Sequence, residues 1–192
     1  IDETHTFSAG PGGCTRAWGL EPDIVTMGKS IAGGVPIGAY GVTAEIDARI
    51  QADPKGDYVD TGGVGGTLAG NALSLAAARA TLEHVLTEDA FERMCALGAT
   101  MLEGMQGVID RHDLPWVVAG LGARAEFRFC PTMPRNGTES HDAHDDDVEE
   151  WLHLVTLNNG ILVTPFHNMC LCCPDTTEAD VARLIEVLDA AA

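Results

Sequence analysis

An α/β chain is what this sequence predicts, and three patterns predict it. From residue 1 to about 70, short apolar runs alternate with Gly-rich turns, as in strands of a buried, mostly parallel sheet. From Asn71 to Arg111, apolar residues recur at helical spacing over two long stretches. Beyond Pro115 the pattern changes to short strand-like segments and helices, the signature of a small α+β domain. The boundary between the two parts is placed near residue 112, giving domains 1–112 and 113–192.

Taken in order, Asp23-Ile24-Val25-Thr26-Met27 reads as a short strand ending at Lys29, and Pro36 to Val42 as another. A short helix over Ala44 to Gln51 follows, then a loop rich in Gly and Asp from Asp53 to Gly66. Asn71 has the short polar side chain of an N-cap and opens a helix from Ala72 to about Leu86, with Ala76, Ala77, Ala78 and Ala80 on several faces. Thr87-Glu88-Asp89 starts a second helix from about Ala90 to Arg111. Its stripe of Phe91, Met94, Leu97, Met101, Leu102, Met105, Val108 and Ile109 is core packing.

Trp116 to Ala119 and Ala123 to Phe129 read as strands of the second part. Asp145 to Asn158 is a helix whose acidic first turn suits its dipole, stopped by Asn159-Gly160. Ile161 to Phe166 reads as a strand, and Thr177 with Asp180 as a partial capping box for a closing helix, Ala179 to Ala190. No internal repeat is visible.

A formal charge of −18, from 11 basic and 29 acidic residues, argues against nucleic acid and anionic membrane as partners, because both would be repelled. The 45% hydrophobic content is enough for a core, yet no run is long enough to span a bilayer and no signal-peptide pattern is present. Cytoplasm is the expected compartment. Of the six cysteines, Cys170-Leu171-Cys172-Cys173 form a cluster without the two-residue gap or the second pair of a zinc site. They read as small buried hydrophobes at the end of a strand. His141 and His144 among aspartates could bind a metal adventitiously, but a solvated acidic loop is the preferred reading, and no metal site is expected.

Lysine is nearly avoided: there are two, against nine arginines. One of them, Lys29, sits in Thr26-Met27-Gly28-Lys29-Ser30-Ile31-Ala32-Gly33-Gly34, flanked by glycines that let backbone or a flat ligand come close. Its amine can form a Schiff base with a carbonyl if its surroundings keep it partly unprotonated. On spacing alone, a surface lysine in a Gly-rich loop is an equal reading.

Three further blocks accompany that lysine: Ile1-Asp2-Glu3-Thr4-His5-Thr6 before it, Gly65-Gly66-Thr67-Leu68-Ala69-Gly70-Asn71 after it, and Asn159-Gly160-Ile161-Leu162-Val163-Thr164-Pro165-Phe166 near the end. In this order and spacing they resemble the class III (subgroup II) aminotransferases, fold-type I enzymes that use pyridoxal 5′-phosphate (PLP). The pattern is closest to transaminases of the glutamate-1-semialdehyde 2,1-aminomutase type. The resemblance runs over essentially the whole chain. Since family members reach roughly twice this length, it implies the C-terminal portion of such an enzyme: part of a large mixed or mostly parallel sheet domain, followed by a small α+β domain. The family's amino-terminal half would hold the cofactor phosphate in a Gly-rich turn and stack an aromatic residue on the ring.

The resemblance also implies roles. Asp2 would pair with the pyridine nitrogen and keep it protonated, while Glu3 beside it would be structural. Thr4 stands where a valine usually lies against the ring face, and His5 stands near the ring hydroxyl. Lys29 would form the Schiff base and then shuttle a proton. Gly66 and Thr67 would reach the cofactor phosphate of a neighbouring subunit, implying a homodimer with sites at its interface. The substrates would be a small-molecule amino donor and a carbonyl acceptor. The stretch His167 to Pro174 has no arginine for a substrate carboxylate, which favours the aminomutase-like branch over the ornithine or GABA type. Arg124, Arg128 and Arg135 are candidates for anion contact, and His167 and Asn168 for reaching the site. The implied activity is transamination or intramolecular amino transfer. A racemase or epimerase of the same fold, or a non-catalytic remnant, is the alternative. Another phosphate-binding role stands last, because no P-loop or dinucleotide fingerprint is present.

Overall fold

The computed structural model describes residues 1–53, 65–164 and 168–192. They form two units, Ile1–Glu88 and Asp89–Ala192.

In the first unit, the β-branched run before Lys29 forms β1 (Ile24–Gly28), which pairs antiparallel with β2 (Gly38–Val42), Ile24 opposite Val42 and Gly28 opposite Gly38. The amino-terminal residues add a parallel bridge between Asp2 and Thr26. Glu3 N–H donates to Thr26 O at 2.8 Å and Thr26 N–H to Ile1 O at 2.9 Å. The sheet is therefore mixed, and its parallel part rests on the first three residues. Helix α1 (Gly13–Ala17) precedes β1, and α2 (Ala44–Ala52), capped by the Thr43 side chain, follows β2.

Most of the predicted Gly/Asp loop lies outside the described residues, which resume at Gly65. Helix α3 (Ala72–His84) starts as expected at Asn71, whose side chain accepts from Ser74 N–H. It ends two residues before the expected Leu86. Its alanines matter here. Ser74, Ala78 and Thr81 are the buried positions, and their small size lets α3 pack on the 3₁₀ turn Lys29–Ala32, where Ile31 and Ala32 are buried. Ser74 Oγ donates to Pro36 O at 3.0 Å, fixing the approach to β2.

The second unit is built on α4 (Glu88–His112), which buries Phe91, Met94, Met101, Met105, Val108 and Ile109. The methionine stripe thus lies in the core, with Leu97 and Leu102 half-buried at its edge. Three antiparallel strands follow in the order β3 (Val117–Leu121), β4 (Arg124–Arg128), β5 (Met169–Leu171). Ala125 and Phe127 alternate inward on β4, and Trp116 packs edge-on against Phe127 and Phe129. Helices α5 (Gly137–Asp142), α6 (Asp146–Asn158) and α7 (Glu178–Ala191) complete it, α6 packing on α7.

Two placements differ from the sequence reading. The chain divides after Glu88, not near residue 112, because α4 gives its apolar face to the second unit. Its Gly98 meets the backbone of Gly122 and Ala123, and its Gly104 meets the Ile185 side chain on α7. The third strand is Met169–Leu171. Residues 161–164 of the predicted strand are irregular, and Pro165 and Phe166 lie outside the described residues. Cys170 and Cys172 are buried at the end of β5, as small hydrophobes there would be, whereas Cys173, expected to join them, is exposed past the strand's end. Among the described residues, no helix is long and apolar enough to cross a membrane.

Candidate active site

Strand β1 ends at Gly28, which is buried, and delivers Lys29 into solvent. Lys29 has φ 52°, one of two positive values outside glycine among the described residues. A left-handed backbone costs a side-chain-bearing residue roughly 1–2 kcal/mol, and such strain persists only where surrounding structure enforces it. Here the enforcement comes from both sides. β1 pairing holds the residues before it, and buried Ile31 and Ala32 under α3 hold those after it.

Asp2 is brought to the same place by its bridge to Thr26, three positions before Lys29. Its Oδ1 accepts the Thr4 N–H at 2.8 Å. The Thr4 backbone N–H, the Thr4 and Thr26 hydroxyls and the positive charge of Lys29 hold its carboxyl below the ordinary carboxylate value against a small desolvation penalty. Asp2 and Lys29 are therefore an exposed ionised acid and an exposed amine in electrostatic reach of each other. Thr4 joins them, since its methyl would lie 3.6 Å from a Cβ placed on Gly28. His5, half-buried, is the N-cap residue of the 3₁₀ turn Thr6–Ala9, and its carbonyl accepts from Ser8 Oγ at 3.1 Å.

Gly66 and Thr67 fall elsewhere, on the exposed turn leading into α3, where Gly66 O accepts the Ala69 N–H at 2.9 Å. Among the described residues, no hydrogen bond or ion pair links Thr67 to Asp2 or Lys29.

The most heavily bonded group of this unit is one the sequence left as merely structural. Glu3 is 2% exposed. Its Oε1 accepts the Thr15 N–H and hydroxyl, each at 2.5 Å, and its Oε2 accepts the Cys14 N–H at 3.1 Å and the Thr6 hydroxyl. Burial alone would raise its pKa, but the bonds from Thr15, Thr6 and Cys14 together bring the carboxyl below its ordinary value. An acid next to Asp2 was visible in sequence. Partners eleven and twelve positions away carried no signal.

The anion candidates all lie in the second unit and all have partners there. Arg124 donates to Met169 Sδ, Arg128 pairs with Glu126 and donates to Ser140 Oγ, and Arg135 pairs with Glu139. Asn168 is buried, its carbonyl accepting the Phe127 N–H, and His167 lies outside the described residues. At the start of α6, His144 Nε2 lies 3.0 Å from Asp146 Oδ1 and 3.1 Å from Glu149 Oε2. This is a tighter triad than a solvated loop implies, and its three side chains could hold a metal ion.

A strand-end amine with an ionised acid in electrostatic reach of it suits a ligand that carries both a carbonyl and a basic nitrogen. The family model described as Aminotransferase class-III matches residues 1–191. The chain belongs to the class-III aminotransferases. Among relatives of this family, it is similar to a glutamate-1-semialdehyde 2,1-aminomutase of Archaeoglobus fulgidus, 31% identical over 190 residues, covering 98% of this chain and 44% of that protein. Glutamate-1-semialdehyde 2,1-aminomutase 2 of Brevibacillus brevis is 32% identical over 191 residues, covering 97% of this chain and 42% of that one.

Among solved class-III structures, a glutamate-1-semialdehyde aminomutase of Pseudomonas aeruginosa superposes with a TM-score of 0.93 at 46% identity, over 100% of this chain and 43% of that one. That structure is a lysine-to-alanine variant in complex with PMP. A β-phenylalanine aminotransferase of Variovorax paradoxus superposes with a TM-score of 0.84 at 25% identity, over 98% and 42% of the two chains. The fold is that of the fold-type I PLP-dependent enzymes, and the chain spans less than half the length of the relatives it matches.

Proposed function

We propose that the protein to which these residues belong catalyses PLP-dependent amino transfer, either between an amino acid or amine and a keto acid or aldehyde, or within one molecule as the aminomutase relatives' name describes. The observation that carries this reading is the Asp2–Thr26 bridge, which brings Asp2 to the strand that ends at Lys29 and within electrostatic reach of it.

PLP, when bound, supplies an aldehyde carbon for amines and a ring that accepts negative charge from the substrate carbon. The chain's own residues do the rest. Asp2, kept ionised by Thr4 and Thr26, would pair with the ring nitrogen and hold a proton on it. Lys29 Nζ would hold the aldehyde carbon until a substrate amine takes its place, and the amine so freed would take a proton from the substrate carbon and return it as general base and acid. Gly28 and the glycines after Ile31 keep bulk away from the lysine, Thr4 sets its methyl beside Gly28, and His5 would donate to the ring oxygen.

Gly66 and Thr67, exposed and unlinked to the Asp2–Lys29 pair, suit a phosphate held in a second copy's site. With Leu68 and Leu73 exposed beside them at 79% and 72%, they support a homodimer with sites at the interface. The charge of −18 weighs against nucleic acid and anionic membrane as partners and so supports small-molecule substrates, for which the cytoplasm is the proposed setting.

The test is an absorbance titration of the chain with PLP, followed by borohydride reduction and peptide mapping. A visible band with the pyridoxyl mark confined to Lys29, and lost in Lys29→Ala, upholds the reading. Marks scattered over Lys55 and the amino terminus that survive Lys29→Ala overturn it.

A further inference from the structure

We propose that Glu3 is the positioning residue of this site: its buried carboxylate pins the Cys14–Thr15 backbone against the Asp2–Thr26 bridge and so fixes where the Asp2 carboxylate stands relative to Lys29. The chemical consequence rests on the PLP reading above; the positioning itself does not.

Residue 3 ties three segments together. Its N–H donates to Thr26 O on β1, its carbonyl accepts from Phe7 N–H in the 3₁₀ turn, and its side chain takes the N–H groups of Cys14 and Thr15 at the start of α1. Helix α1 has Gly12 at its N-cap and no side-chain cap of its own, so Glu3 supplies from a distance the acceptors that a local Ser or Asp would supply. The fit is close. A Cβ on Gly13, which also has φ +59°, would overlap the Glu3 carboxylate. Asp2, by contrast, is exposed, and its carboxylate accepts the Thr4 N–H two residues on. The Asp2 backbone is held on β1 from both sides, Thr26 N–H donating to Ile1 O and Glu3 N–H donating to Thr26 O. Of these flanking residues, Glu3 is the one whose side chain ties the bridge to α1.

All four donors require both oxygens to be acceptors. A carboxylate meets this requirement, while an amide of the same shape cannot, because its NH₂ must face either Thr15 or the Cys14–Thr6 pair. Glu3→Gln is therefore the informative change, with Thr15→Val, which removes one hydroxyl donor, as the milder variant, and Asp2→Asn as comparator. Two readouts apply to the chain: amide-proton exchange without cofactor, and the pH midpoint of the visible band after PLP is added.

In Glu3→Gln, exchange at Cys14 and Thr15 is expected to rise about ten- to a hundredfold, as when a bond to a charged group is lost. The Thr4 amide, bonded to Asp2, rises with them, and the band midpoint moves toward that of Asp2→Asn. Thr15→Val moves each readout the same way by less, and keeps the test usable if Glu3→Gln does not fold. Faster exchange at Cys14 and Thr15 with the Thr4 amide and band midpoint unchanged would reduce Glu3 to a cap for α1 and overturn the proposal. Absence of any band in the unaltered chain would overturn the PLP reading instead, and the Thr4 amide would still decide the positioning.

Discussion

The two units of this chain reach order by different means. Residues 89–192 bury a continuous apolar set, from Phe91 and Met105 on α4 through Phe127 on β4 to Leu184 and Leu188 on α7. Among the described residues, 1–88 bury few large apolar side chains, Ile31 chief among them. Their best-shielded large group besides it is a carboxylate, Glu3, while Trp18, Tyr40, Leu68 and Leu73 remain exposed. Asp2 and Lys29, proposed above as the reactive groups, belong to this second kind of structure. Both are exposed, and the segment carrying Asp2 is held by backbone bonds to Thr26 and by the buried Glu3 carboxylate next to it.

The largest effect expected is chemical and confined to residues 1–88. Lys29→Ala should remove pyridoxyl labelling entirely while changing stability by no more than about 0.5 kcal/mol, as at other exposed positions. A melting shift as large as a core truncation's would break the distinction between a reactive surface and a load carried beneath it.

In residues 89–192 the expectation reverses. Met105, 0% exposed at the centre of α4, should cost about 2–5 kcal/mol when replaced by alanine, read from the denaturant midpoint. Gly98→Ala should cost roughly 1–3 kcal/mol, because the new methyl meets the backbone of Gly122 and Ala123. That outweighs the gain of about 1 kcal/mol from replacing a helical glycine by alanine. Thr177→Ala, which breaks the capping box of α7, should cost about 1 kcal/mol.

The gentlest probe is pH, and it separates the units by sign. Hydrogen bonds hold the Glu3 carboxyl below its ordinary 4.5, so its contribution is present above that value and lost as pH falls through the depressed one. Burial pushes the Cys170 thiol from 9.0 up to about 12, so its contribution is complete below 9.0 and drains away as pH rises toward 12. Amide exchange should therefore quicken at Cys14 and Thr15 in acid, and at Ala125, paired with Cys170 on β5, in alkali. The same dependence on pH at both places would erase the contrast.

Much was legible because it is encoded locally. Asn71, the Thr177–Asp180 pair and the methionine stripe each declare themselves within one helix, through capping and periodicity. Asp2, Thr4, His5, Lys29, Gly66 and Thr67 were marked by family blocks, and those blocks sufficed for the family. What sequence spacing could not give was which of them meet. Asp2, Thr4 and Lys29 come together because Thr26 hydrogen-bonds to residues 1 and 3, whereas Thr67 stays apart.

The amino-acid order by itself determined the long helices, their caps and the core stripe, since each depends on residues within a turn or two of one another, and its separated blocks determined the family. Only the tertiary structure decided that β1 and β2 run antiparallel, that β5 is Met169–Leu171, that α4 joins the second unit and that the Glu3 carboxylate meets Cys14 and Thr15. Each of these is a pairing between distant segments, chosen by burial and by the satisfaction of buried polar groups, and neither condition exists until the chain has folded.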